Sequence, residues 1–207
     1  DVVLKYIARY SGCSNGDLIQ HVRTVSPEAS EQVGGYIKVL AERFQMIERR
    51  QPIFAKPPSR SGRYYLTDNF LRAWLAALAN PVQALNFAPV AGLIEQADDR
   101  LAVVEGQSLE KLVATLYEER SRKGLGDFAL TARVQGFWDS NDTEIDLVAI
   151  NEPERRIRFG SCKRSADRLV ADLSVTDGHV TRFLAGHRQY AGWQIEKVSI
   201  APTITPD

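Results

Sequence analysis

The chain is 207 residues long, 44% hydrophobic and 25% charged, a size and mixture that suit one large domain or two small ones with ordinary apolar cores. No apolar run is long enough to cross a membrane and no signal-peptide pattern opens the chain, which sets aside membrane-spanning and signal-led classes. The 26 basic and 26 acidic residues cancel, and Cys13 and Cys162 lack CxxC spacing, so a disulfide or zinc framework is not indicated and a reducing, cytoplasmic setting is expected.

Zero net charge conceals an asymmetry. Residues 1–80 carry 11 Lys and Arg against 7 Asp and Glu, a net of +4, and the remainder carries −4. A basic first part suits contact with a polyanion; an ordinary solvated surface accounts for it as well. The chain opens on Asp1 and enters an apolar helical pattern at once, which reads as a piece cut from a longer protein.

Val3, Leu4, Ile7 and Ala8 predict a first helix over 2–10, broken at Ser11-Gly12. Ser14 is the predicted N-cap of a second, with Asp17 at capping-box spacing, Leu18, Ile19 and Val22 as its apolar face, and His21 near its C-terminal dipole. Pro27 opens a third, carrying Val33, Tyr36, Ile37 and Leu40 at helical spacing. Strands are expected at 46–50 and 63–66, separated by a loop holding Pro52, Pro57, Pro58 and Gly62. Three small helices followed by a two-stranded ribbon is the order of a winged helix, here residues 1–67.

Asp68 is the expected cap of a further helix with the stripe Phe70, Leu71, Trp74, Leu75 and Leu78, the start of a helical connector over 68–104. Pro81 and Pro89 bracket a looser segment. Helices are expected over 90–103 and 108–122, the latter ended by Gly124 and Gly126. The period then changes to strands at 128–138, 143–151 and 155–164, followed by a helix over 172–187 and a strand at 193–201. From Ser108 the order is αβββαβ, so the chain is expected to be α/β in its second part (105–207) and α+β as a whole.

Asp146 interrupts the apolar strand Glu144-Ile145-Asp146-Leu147-Val148-Ala149, and a buried carboxylate needs a metal, a cation or a donor to face. On the next strand, Phe159-Gly160-Ser161-Cys162-Lys163, residues Ser161 and Lys163 are two apart and share a face. An acid on one strand and carboxylate-x-lysine on the next resembles the PD-(D/E)xK nucleases. With Tyr36-Ile37-Lys38-Val39-Leu40, the 47–54 and 62–74 stretches and Ser108-Leu109-Glu110-Lys111-Leu112-Val113, nearly the whole chain resembles the C-terminal half of a prokaryotic AAA-type or STAND-like ATPase family. In that family the ATPase is followed by a winged helix and a DUF234 domain of restriction-endonuclease-like fold.

The resemblance implies a site of Glu110, Asp146, a glutamate at 161 and Lys163, with Asp146 and Glu110 as metal ligands. This chain has Ser161 in place of the glutamate and Arg164 where a tryptophan is common. It contains no glycine-rich phosphate loop, so ATP would belong to an upstream domain in the same polypeptide. In an intact site Mg²⁺ would polarise the scissile phosphate beside the lysine. Losing one ligand commonly costs a hundredfold or more in rate, so no cofactor or only weak Mg²⁺ binding is expected here. Glu144 shares the strand face of Asp146 and, like Glu110, is a candidate to compensate. The bland alternative is an Asp146–Lys163 ion pair in an inactive core.

Cys162 is expected to be a small buried hydrophobe, His179 and His187 to be solvated on the last helix, and Tyr36, Tyr64, Tyr65 and Trp74 to be core. DNA contact through the winged helix would use Lys38, Arg43, Arg49, Arg50, Arg60 and Arg63. Glu28, Glu31 and Glu42, with Gly34-Gly35, make the third helix a poor groove surface. The functions left open are a DNA-binding accessory region with a catalytically lost nuclease domain, an active Mg²⁺-dependent endonuclease, and a protein-interaction scaffold for the ATPase. Whether the chain oligomerises is equally open.

Overall fold

The structure, a computed structural model, describes residues 2–56 and 61–202. The chain divides into two compact units: Asp1–Gln51 with Ala55–Val104, and Pro52–Phe54 with Glu105–Asp207. Helices and strands mix in both, so the class is α+β.

The first unit opens with α1 (Val2–Arg9), a two-residue strand β1 (Cys13–Ser14) and α2 (Asn15–Val25). Ser14 caps α2 as its sequence predicts. Its Oγ accepts from the Asp17 N–H at 3.2 Å, and the Asp17 carboxylate accepts from the Ser14 N–H at 2.8 Å. The third helix is irregular: a tight 3₁₀ segment (Pro27–Gln32), α3 (Val33–Lys38) and a widened π turn (Val39–Arg43). Gly34-Gly35 and the β-branched Val39 are weak helix formers in its middle, consistent with the changing pitch. β2 (Ile47–Arg50) and β3 (Arg63–Leu66) pair antiparallel, and β1 adds to the far side of β3, giving the order β1-β3-β2. The short β1 falls where only a break is expected from Ser11-Gly12.

Ile7, Leu18, Val33 and Leu66 anchor the core of this unit. Of the four expected core aromatics only Tyr64 is buried; Tyr65 is half-buried, and Tyr36 and Trp74 are 50% and 39% exposed. Asp68 caps α4 (Asn69–Ala73), accepting from the Leu71 N–H at 2.6 Å. A π turn (Trp74–Leu78) continues into α5 (Ala79–Ala84), so Pro81, expected to bracket a looser segment, lies inside a continuous helical run just after the widened turn.

Two helices are expected between 90 and 122; one is found. α6 (Val90–Arg122) runs through Gly106 without a break. A lone glycine costs a helix only about 1 kcal/mol, and here no turn residue accompanies it. α6 ends as expected, with Gly124 and Gly126 both at positive φ.

In the second unit β4 (Gln135–Trp138), β5 (Glu144–Asn151), β6 (Arg156–Cys162) and β7 (Gln194–Ile200) form a four-stranded sheet in that order. The first two pairings are antiparallel and β6–β7 is parallel, as the crossover through α7 (Ala166–Gly186) requires. The strand expected over 128–138 is shorter: Phe128 and Val134 are buried, but their backbone passes beneath α6 outside the ladder. Phe159, Ile157, Val148 and Ile150 point to the α7 side, meeting Val180 and Phe183. Leu147, Ala149 and Cys162 point to the other side, meeting Leu109, Val113 and Tyr117 of α6. Ile53 and Phe54 complete this unit: the Ile53 N–H donates to the Gly136 carbonyl at 2.9 Å, and the Phe54 ring lies 5.5 Å from Tyr190 and 6.1 Å from Phe183.

Ser14→Ala removes the acceptor that closes the first turn of α2. It is expected to destabilise the first unit by about 1 kcal/mol, read as a lower denaturant midpoint with an unchanged slope.

Candidate functional site

The alternation along β5 and β6 decides which side chains meet. Asp146 lies on the face of Val148 and Ile150, and Ser161 and Lys163 on the face of Ile157 and Phe159, so all three turn toward α7. Gly160 pairs with Leu147, which places Asp146 and Ser161 side by side at the end of the ladder. A side chain at Gly160 would press on Leu147, since an added Cβ would lie 3.2 Å from its Cβ; the bare backbone keeps the strands in register.

Asp146 Oδ2 accepts from the Cys162 N–H at 2.7 Å and lies 4.0 Å from Lys163 Nζ. Lys163 is closer to a residue that the strand pattern does not announce: Asp172 on α7, whose Oδ1 is 3.2 Å from Nζ. Buried Ser161 donates its hydroxyl to Asp172 Oδ2 at 2.5 Å, and Thr176 donates to the same oxygen at 2.9 Å. The assembly is thus Asp146–Lys163–Asp172, with Ser161 holding the helix-borne carboxylate. Asp172 escapes a motif search because it is far from the strands in sequence. The helix expected over 172–187 begins earlier, at Ala166, and Asp172 and Thr176 form an i,i+4 pair on one of its faces.

The two carboxylates are biased in opposite directions. Burial raises the Asp146 pKa, the Cys162 N–H and Lys163 pull it down, Glu144 and Asp172 push it up, and the result lies above 3.8. Burial also raises Asp172, but the Ser161 and Thr176 hydroxyls and the Lys163 ammonium outweigh it, leaving its pKa below 3.8.

The remaining expected site residues fall elsewhere. Glu110 is on α6, the helix packed on the opposite sheet face, where its charge helps push the Cys162 thiol up to about 12 behind burial and Asp146. Cys162 is buried in that cluster, as a small hydrophobe. Glu144 is exposed, and its N–H donates to His179 Nδ1 at 3.1 Å. His179 therefore acts as an acceptor at Nδ1, which Arg182 also approaches at 2.9 Å. His187 stacks on Phe183 at 4.2 Å, so neither histidine is merely solvated. His21 lies mid-helix and stacks on Tyr6 at 4.3 Å, away from the helix end. Among the described residues no three His, Cys, Asp or Glu side chains converge as a metal cage. Arg164 pairs with Glu105 at 3.3 Å on the surface.

A second charged network lies on the α6 face. Nearly buried Arg158 binds Asp127 and Glu196, each at 2.6 Å, and lies 4.8 Å from the Phe128 ring centre. It holds Asp127 down to about 2. A groove of about 320 Å³ beside it is lined mainly by Val113, Tyr117, Phe128 and Ile200, and is apolar.

In the first unit Lys38 and Arg43 are exposed on the third helix, Lys38 at 4.0 Å from Glu42. Arg49 is exposed, and its guanidinium occupies the space that a side chain at Gly62 would need. Arg50 is bound to Glu48 at 2.5 Å and lies over Tyr65 at 4.3 Å; Arg63 is half-buried. Arg60 lies outside the described residues.

Residues 74–175 match DUF234. The family is described as archaea bacterial proteins of unknown function. The DUF234 match takes in α6, β4, β5 and β6 and the first half of α7, and so contains Asp146, Ser161, Lys163 and Asp172. Uncharacterized protein MJECL04 of Methanocaldococcus jannaschii is 27% identical over 146 residues, which cover 67% of this chain and 32% of that protein. The chain thus spans about a third of the relative that it matches. No solved structure matches. Among the described residues no helix is long and apolar enough to cross a membrane.

Asp146→Ala leaves the Cys162 N–H without its acceptor and is expected to cost about 1–3 kcal/mol; Asp146→Asn keeps an acceptor and should cost less. The pH dependence follows from the raised pKa. The folded chain holds the Asp146 proton more tightly than the unfolded chain, so this group stabilises most below pH 3.8 and that contribution is lost as pH rises through its folded value. Asp146→Asn should therefore compare best with the wild type at neutral pH and lose ground on acidification toward pH 4, measured by denaturant titration at each pH.

Proposed function

We propose that this chain is the C-terminal region of a prokaryotic AAA-type ATPase, acting in the cytoplasm, in which a DNA-binding winged helix precedes a nuclease-like domain that no longer cleaves. ATP would be bound elsewhere in the longer polypeptide. The observation that carries the loss of cleavage is at position 161. There a buried serine, its hydroxyl committed to Asp172, stands where a PD-(D/E)xK site places its second strand-borne carboxylate.

Descent from such a nuclease is supported by the α6–β4–β5–β6–α7–β7 order and by Asp146 and Lys163 on adjacent strands. The donor set does not suit Mg²⁺. That ion requires near-octahedral hard oxygen ligands. Asp146 and Asp172 both face the Lys163 ammonium, and Glu110 is carried by the helix on the opposite face.

The DNA-binding part is supported by the order of three helices and a ribbon, and by exposed Lys38, Arg43 and Arg49. One observation favours the scaffold reading. The third helix and its end expose Tyr36, Val39 and Phe44 at 50%, 42% and 56%, an apolar character better suited to a protein partner than to phosphates.

Two measurements test this. Purified protein incubated with duplex and single-stranded DNA in Mg²⁺ or Mn²⁺ should show no cleavage above background; cutting that Asp146→Ala abolishes would instead establish an active nuclease. Binding to a duplex should weaken steeply with salt, and Arg43→Ala should reduce the slope of log K against log salt by about 0.9, one phosphate contact. Arg50→Ala should change it less, because Glu48 already holds that guanidinium. Affinity indifferent to salt and to both substitutions would favour the scaffold.

A further inference from the structure

We infer that the acid missing from position 161 has been replaced from the helix: Asp172 is the positioning residue that balances Lys163 and fixes it at the end of β6. Ser161 and Asp172 then form one coupled pair. The inference rests on the nuclease-like reading only for the statement that an acid once stood at 161; the pairing itself rests on geometry.

Three contacts converge on the Asp172 carboxylate. Oδ1 faces Lys163 Nζ at 3.2 Å, nearer than Asp146 at 4.0 Å, and Oδ2 accepts from Ser161 at 2.5 Å and Thr176 at 2.9 Å. The carboxylate therefore sits directly against residue 161. A glutamate at 161 would bring a second negative charge and three extra heavy atoms into space that Asp172 and its partners fill. A strand carboxylate and a helix carboxylate are in this sense alternatives for one location, and serine is a complement to the helix choice: small enough to fit and able to donate. Neutral donors from Ser161 and Thr176 satisfy the oxygen that Lys163 does not face, which offsets the partial burial of this carboxylate. Lys163 and Asp172 are each less than a third exposed, so the pair is shielded from the screening that weakens surface ion pairs.

The test is a swap. Ser161→Glu alone sets two carboxylates against each other, and Asp172→Ser alone leaves Lys163 with the more distant Asp146. Combining Ser161→Glu with Asp172→Ser returns the acid to the strand and the hydroxyl to the helix with the charge count unchanged. Equilibrium denaturation should show each single variant destabilised and the double variant recovering, with a coupling of about tenfold or more in the unfolding constant. If Ser161→Glu cannot fold by itself, a soluble, cooperatively unfolding double variant is the recovery. The milder cycle of Ser161→Ala and Asp172→Asn must also show coupling; losses that simply add there overturn the inference. Thermal stabilisation by Mn²⁺ is measured on the swapped protein as a separate arm. Recovery with Mn²⁺ stabilisation supports both readings, whereas recovery without it keeps the Ser161–Asp172 pairing and counts against the nuclease-like ancestry.

Discussion

An ammonium at the end of an inner strand must be neutralised by something near, and the second unit is arranged around that demand. Lys163 leaves β6 on the face covered by α7, so its counter-charges have to come from the neighbouring strand or from that helix. Asp146 supplies the first, but its carboxylate is also bound to the Cys162 N–H and is costly to keep charged. Asp172 supplies the second with better company, two hydroxyls and a closer ammonium. Sheet and helix are joined at this point by charge as well as by the Phe159–Phe183 core. The polar end of that interface specifies which turn of α7 lies over β6, something an apolar contact alone defines loosely.

How much of this was legible depends on the range of the interaction. Local signals were read correctly: the Ser14–Asp17 box, the Asp68 cap, the glycines after α6 and the alternation that turns Asp146, Ser161 and Lys163 to one side. Elsewhere tertiary context overrides the local pattern. At Gly106 a weak local breaker was overridden by a long stretch that packs Val104 in one unit and Leu109 and Val113 in the other. At 128–134 apolar residues suggested a strand, but burial beneath α6 can be achieved by an irregular segment too. Nothing adjacent in sequence marks Asp172; only the fold brings it to Ser161. Glu110 was assigned by family resemblance, and its helix covers the face away from Lys163.

The charge asymmetry of residues 1–80 reads differently once side chains are placed. Counting lysines and arginines gives a basic region, but Lys38 faces Glu42, Arg50 faces Glu48, and Arg72 is buried with its guanidinium on the Val104 carbonyl. These pairs leave the net charge unchanged but commit individual cations to partners within the chain, so the local field depends on which cations stay unpaired as well as on the sum.

Phe54 belongs to the aromatic cluster of the second unit although it lies between the ribbon strands of the first, and it takes a positive φ to get there. Its ring partners, Phe183, His187 and Tyr190, are made much later as the chain is synthesised from its N-terminus. During that interval an apolar ring emerges from the ribosome with its pocket not yet in existence. The helix, strands and connector around it can form first, since their contacts are largely local, but this closure waits for nearly the whole chain. Vectorial synthesis thus separates in time the appearance of this ring from that of the cluster that receives it.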